Sequence, residues 1–164
     1  VAINPGMVYG PSLTTGSQSA SIDTLISMGD GRLRSGVPDL KYGVVDVRDV
    51  AKAHILAAFK PGAEGRHLLV SKTLTMIEIA KILRGHFGKA YPFPKSVVPK
   101  ALVWTFGPMM GPVTRTFISK NVGHPLAFDN QRSIALGVEY LPAEQTFVEH
   151  FQQVLNDGQV KKRA

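Results

Sequence analysis

Val1-Ala-Ile-Asn-Pro-Gly-Met-Val-Tyr-Gly-Pro11 is the stretch on which the fold turns. An apolar run broken by Asn4, Pro5 and Gly6 suits an inner strand of an α/β sheet, covered on both faces, whose end opens into a ligand crevice. Such a strand needs neighbours on both sides. With no start residue or cap before Val1, the run predicts a chain that opens in the middle of a domain.

Working outward, the polar residues from Ser12 to Ser21 predict a loop beside the crevice, and Ile22 to Met28 a short helix ended by Gly29-Asp30-Gly31. Tyr42 to Val47 is rich in β-formers. Asp49 suits the N-cap of a helix from Val50 to Phe59, which Pro61-Gly62 stops. Leu68-Leu69-Val70 predicts a short strand. Thr75 and Glu78 form a capping box for a helix through about Phe87, with Ile77, Ala80 and Ile82 or Leu83 on its buried stripe. Pro92 and Pro94 break the chain. A further helix is expected from Val98 to Phe106, closed by Gly107-Pro108 and Gly111-Pro112, and an amphipathic one from Thr146 to Leu155. Strands alternating with helices argue for an α/β fold.

The 164 residues, 44% hydrophobic and 19% charged, suffice for one globular domain with its own core. The absence of cysteine excludes disulfides and thiolate zinc sites and points to a reducing compartment, the cytoplasm by default. The longest apolar stretch, Val97 to Met110, is interrupted by Pro99, Lys100 and Pro108 and is too short to cross a bilayer, so no membrane partner is expected. The net charge of +7 comes from scattered cations. Only Lys161-Lys162-Arg163 forms a run, which describes a solvated basic surface, or one suited to an anionic cofactor, rather than a nucleic-acid footprint.

The five histidines show no metal-ligand spacing, so no metal site is expected, and His54 is read as packing beneath its helix or reaching a backbone carbonyl. No Gly-x-Ser-x-Gly elbow supports nucleophilic hydrolysis, and no Gly-x-x-Gly-x-x-Gly turn offers a pyrophosphate cradle. Asp46 and Asp49 are explained by a strand end and a helix cap that accept from backbone amides. Trp104, Phe106, Met109 and Met110 are read as pocket wall or core, with a partner interface as the other option.

The opening stretch, Val44-Val-Asp-Val-Arg-Asp-Val-Ala-Lys-Ala-His54, and the closing Phe128-Asp129-Asn130 with Ser133 to Pro142 together resemble the second half of the extended short-chain dehydrogenases/reductases, especially the dihydroflavonol-reductase-like and aldehyde-reductase-like branch. The resemblance spans nearly the whole chain. It implies the C-terminal part of a Rossmann-type reductase, with 1–70 supplying the last sheet strands and 71–164 a mostly helical substrate-binding region. The nucleotide-binding half and the Tyr/Lys pair that moves the proton are then expected upstream of Val1, so no catalytic residue is assigned and this chain alone is expected to be inactive. The one numerical match to that pair, Tyr91-Pro-Phe-Pro-Lys95, contains two prolines that forbid the helical turn needed to bring phenol and ammonium together.

By the same resemblance, Pro5, Gly6, Met7 and Val8 lie against the nicotinamide end of the cofactor, where backbone groups position its amide. Ser21, with Ser19, lies near the cofactor, and Tyr42 and Gly43 face the substrate. Taken without the family pattern, Pro5 and Gly6 turn the chain at a strand end, Ser21 is a solvated loop serine and Tyr42 is a half-buried strand residue. The implied cofactor is NADP or NAD, bound mainly by the N-terminal half. The implied partners are that half, a small carbonyl substrate (aldehyde, ketone or dihydroflavonol-like) and, for assembly, a second copy in a homodimer. A nucleotide-sugar epimerase or dehydratase of the same fold is the second reading and a non-catalytic binding module the third. The apolar Val97 to Met110 stretch favours the carbonyl, whereas arginines facing the pocket would favour a sugar diphosphate.

Overall fold

The computed structural model describes residues 1–16, 19–110 and 113–161. The opening stretch forms two strands, β1 (Ala2–Pro5) and β2 (Met7–Tyr9), because the chain changes partner at Gly6. β1 runs parallel to β5 (Arg66–Leu69), whereas β2 runs parallel to β4 (Lys41–Asp46), with Val8 opposite Val45. β6 (Lys72–Thr75) pairs antiparallel with β4, and β3 (Val37–Pro38) pairs parallel with β7 (Val97–Val98). The fold is α/β with mixed strand pairing.

Gly6 is required by space rather than by dihedral. Its N–H donates to the Leu69 carbonyl at 2.9 Å, and a Cβ at this position would collide with the Gly43 carbonyl oxygen and press on Val70. β1 has a single strand partner among the described residues, and Ala2, Asn4 and Pro5 are exposed along it.

Alternation along the strands sends successive side chains to opposite faces. Tyr9 and Val44 enter the main core with Leu25 and Met28 of α1 (Ala20–Gly29), Ile79 and Leu83 of α3 (Met76–Phe87), and Phe147 and Phe151 of α7 (Ala143–Asn156). Val45 instead joins Ala53 of α2 (Val47–Phe59), Leu69 and Val138 in a smaller cluster. Aromatic rings fix the main core. Phe151 meets Phe87, Tyr91 and Phe93 at 4.9, 5.4 and 5.2 Å between centroids, and Gly29 lets α1 approach it where a Cβ would lie 2.6 Å from its ring.

Helix starts differ from the sequence expectation in instructive ways. α1 begins two residues early because Ser19 serves as its N-cap, accepting from the Ile22 N–H. For α2 the cap is Asp46, whose side chain accepts from the Arg48 N–H; Asp49 falls in the first turn and is not the cap. The Thr75–Glu78 capping box of α3 forms as expected, with Met76, Ile79, Ala80 and Leu83 buried and Ile77 and Ile82 on the flanks. β6 was not anticipated: Lys72-Thr-Leu-Thr75 is too short and polar to announce itself, and it is a strand because β4 offers an edge. The mostly helical second part therefore also contributes strands.

α4 (Lys100–Met110) starts after β7 and runs through Gly107-Pro108 instead of ending at Phe106. Pro108 sits in the last turn, where it removes one hydrogen bond without ending the helix. Gly111 and Pro112, expected to close it, lie outside the described residues, as do Lys162 and Arg163 of the basic run. Trp104, Phe106 and Met109, expected as pocket wall or core with a partner interface as the other option, are 43, 52 and 83% exposed, which rules out the core, and the Arg115 guanidinium lies 4.7 Å over the Trp104 ring. The Met110 side chain lies outside the described residues. α5 (Arg115–Asn121) follows α4, and α6 (Gln131–Leu136) is ended by Gly137 in the left-handed region at φ 106°. Among the described residues no helix is long and apolar enough to cross a membrane.

Two glycines separate space from flexibility. Gly6→Ala is expected to destabilise the fold by about 2 kcal/mol or more, because the added methyl meets backbone. Gly85→Ala, in α3 with nothing near the new methyl, is expected to stabilise by roughly 0.5–1 kcal/mol. Urea midpoints of the two variants check both signs.

Candidate functional site at the carboxyl ends of the parallel strands

β2 and β4 end side by side at Tyr9 and Asp46, and a cavity of about 590 Å³ opens just beyond them. Val8, Gly10, Leu13, Ser21, Arg48 and His150 are among its walls. Ligands of open α/β sheets bind at this end of the strands.

One wall is the polar face of α7, and it grips the loop that leaves β2. Gly10, at φ 119°, donates its N–H to Nδ1 of His150 at 3.0 Å. The Ser12 N–H donates to Oε1 of Gln153, and Nε2 of Gln153 donates back to the Ser12 carbonyl at 2.7 Å. Because Nδ1 accepts, the His150 proton resides on Nε2. Burial lowers the His150 pKa to about 4, partly opposed by the nearby Asp46 carboxylate, so the imidazole is neutral at neutral pH.

Arg48 also faces the cavity, but its charge is met. Its Nε and Nη2 donate to the two Asp46 oxygens at 2.9 and 2.8 Å, and its Nη1 lies 2.7 Å from Glu149 of α7. Thr146 adds a hydroxyl donated to Asp46 Oδ2 at 2.7 Å. Burial pushes the Asp46 pKa up, yet the Arg48 side chain and N–H and the Thr146 hydroxyl together outweigh it and hold the group below the ordinary carboxylate value. Asp49 is fully buried, accepts the Leu141 N–H at 2.9 Å and leaves Oδ1 without a partner among the described residues; burial raises its pKa. Both acids thus accept from backbone amides, as expected.

The expected site residues divide. Val8 and Ser21 come together on the cavity wall, and Ser21 shares a 3.0 Å hydrogen bond with Ser19. Pro5 is exposed on β1, and Gly6 is wedged against Gly43. Met7 points to the main core, where its sulfur accepts the Tyr9 hydroxyl at 3.3 Å. Tyr42 packs on that core, with its pKa raised by burial, and Gly43 is covered by the Phe128 ring. Neither lines the cavity. His54 reaches the Val50 carbonyl at 2.8 Å.

No lysine donates to any of the four tyrosine hydroxyls among the described residues, and Tyr91 and Lys95 lie on irregular backbone rather than on a helical turn. Burial raises the Tyr9 pKa, so its phenol stays protonated. Among the described residues no group of three His, Asp or Glu side chains could hold a metal. The residues missed from sequence are Arg48, Thr146, His150 and Gln153. The signal for the last three was present in α7, where Thr146, Glu149, His150 and Gln153 recur at helical spacing on one face.

A mixed α/β chain whose crevice lies past the carboxyl ends of parallel strands belongs to the open-sheet, Rossmann-like class of ligand-binding proteins. No protein-family model matches the chain. It is 29% identical over 158 residues to cinnamoyl-CoA reductase 1 of Petunia hybrida, covering 96% of this chain and 41% of that protein. It is 33% identical over 91 residues to the NADPH-dependent methylglyoxal reductase GRE2 of Saccharomyces cerevisiae, covering 52% of this chain and 27% of that protein. The structure of Gre2 from Candida albicans in complex with NADPH superposes with a TM-score of 0.64 at 27% identity, over 94% of this chain and 43% of that one. The chain is accordingly similar to these reductases over nearly its whole length, and it spans less than half the length of the relatives it matches.

His150 takes up its proton near pH 6.5 when unfolded and only near pH 4 when folded, so protons favour the unfolded chain across that interval. Stability is therefore expected to be full above about pH 6.5 and to fall on acidification toward pH 4, by roughly 3 kcal/mol at most. His150→Gln keeps an acceptor for the Gly10 N–H and removes the titration. Urea unfolding at pH 7, 5.5 and 4.5 should show a shallower slope for the variant, and equal slopes would refute the assignment.

Proposed function

We propose that this chain is the substrate-side part of an NADPH-dependent reductase that transfers hydride to the carbonyl carbon of an apolar aldehyde or ketone. The observation that carries the proposal is the charge state of the crevice. Its two basic lining residues are withdrawn, Arg48 by Asp46 and Glu149 and His150 by its low pKa, which leaves apolar walls with serine and threonine hydroxyls. Such a lining suits a neutral carbonyl compound with an apolar body.

The relatives named as cinnamoyl-CoA and methylglyoxal reductases support the reaction class, and the second of these is named as NADPH-dependent. On this reading the nicotinamide amide is met by backbone groups of Pro5 to Val8, and Ser21 stands at the edge of the cofactor. The unpaired edge of β1 receives a strand of the nucleotide-binding half, which also brings the Tyr/Lys pair. Tyr42 and Gly43 act behind the site, holding β4 against Gly6, rather than touching substrate. A sugar diphosphate fits less well, although a nucleoside-diphosphate-sugar epimerase shares the fold at 18% identity, because the crevice offers no uncompensated cation among its described lining residues.

The test is NADPH oxidation, followed by absorbance, by the protein that carries this chain with aldehydes and ketones of increasing apolar size. Ala51→Phe fills the crevice from α2 and is expected to lower kcat/KM about tenfold or more for the larger substrates while leaving NADPH affinity unchanged. No oxidation with any carbonyl compound would overturn the proposal.

A further inference from the structure

A second concavity, of about 480 Å³, borders the main core at Tyr91 and Phe93 and shares no described lining residue with the crevice. Four cations converge on it from three separate segments: Arg34 from the loop after α1, Arg84 and Lys89 from the end of α3, and Lys95 from the segment that leads into β7. No acidic residue is among its described lining residues. Among the described residues none of the four is in an ion pair, whereas Arg32, close by in sequence, is held by Asp30 and Asp23 at 2.7 and 3.0 Å.

The walls are fixed. Nη1 of Arg84 donates to the Pro94 carbonyl at 2.7 Å, the Val37 N–H donates to the Ser96 carbonyl at 3.1 Å, and β3 pairs with β7 beside them. The end of α3 accounts for Arg84 and Lys89, since cations complement the negative end of a helix. It does not account for Arg34 and Lys95, which arrive from elsewhere. Like charges gathered in a concavity repel one another, and a multiply charged anion removes that cost. Tyr91 and Phe93 supply an apolar surface at the same place, with Tyr91 half-buried against Phe151.

We infer that this concavity binds a phosphorylated organic molecule, with Arg34, Arg84, Lys89 and Lys95 on its phosphate groups and Tyr91 against its flat apolar portion. Planar guanidinium groups match phosphate oxygens pairwise, and the lysines add point charges. The size of the cavity falls in the range of small-ligand sites. The inference does not depend on the reductase reading.

Calorimetric titration of the protein with ADP, inorganic diphosphate and adenosine, in saturating NADPH so that a cofactor site is already filled, tests it. ADP and diphosphate are expected to bind saturably, ADP the tighter, with adenosine far weaker. The exposed triple variant Arg34→Gln, Lys89→Gln, Lys95→Gln is expected to weaken both phosphate ligands about tenfold or more while keeping the fold, as the thermal midpoint will report. Lys52→Gln, Lys120→Gln, Lys161→Gln removes the same charge elsewhere and should leave affinity unchanged. Tyr91→Leu should weaken ADP and spare diphosphate. Binding of ADP and diphosphate that survives the first variant, or that falls equally in the second, overturns the inference, and so does the absence of any diphosphate binding.

Discussion

The buried carboxylate of Asp46 is the constraint from which the rest of the arrangement follows. It ends β4, caps α2 through the Arg48 N–H, pairs with the Arg48 guanidinium and accepts the Thr146 hydroxyl of α7. A charge at 1% exposure is tolerable only with several donors, and each donor here comes from an element that must be in place. Satisfying one group therefore aligns a strand end and two helices. The mouth of the crevice forms where those three meet.

The same pairing decides what the crevice can hold. An arginine beside a cleft ordinarily recruits anions, but this one is engaged on both sides, by Asp46 and by Glu149. Burial keeps His150 neutral, and its Nδ1 serves as an acceptor for the loop backbone instead of carrying a positive charge. Four cations outside any ion pair among the described residues gather elsewhere, in the concavity around Arg84 and Lys89.

Much of this was legible in the sequence. The Thr75–Glu78 box, the β-rich run before Asp46 and the α/β alternation rest on local chemistry, and local chemistry survives folding. Where the structure departs from expectation, a distant contact is responsible. Asp46 displaced Asp49 as the cap because the strand ends there, β6 exists only because β4 has an edge to offer, and α4 runs past Gly107-Pro108. Of the expected site, Val8 and Ser21 reached the crevice, since strand and loop positions are set by alternation and capping. Tyr42 and Gly43 did not, because β4 turns that part toward the core and Phe128 covers the glycine from 85 residues further along the chain.

The contact between Gly6 and Gly43 has a mechanical meaning. Two backbones touch there with no side chain between them, at the point where the chain passes from the β1–β5 pair to the β2–β4–β6 sheet. Side chains can change rotamer and absorb a displacement, whereas touching main chains cannot. The two sheets are coupled as a stiff joint. A displacement of β1 is met at Gly43 by main chain and not by a side chain that can give way, so β1 and β4 are expected to move together beneath the floor of the crevice.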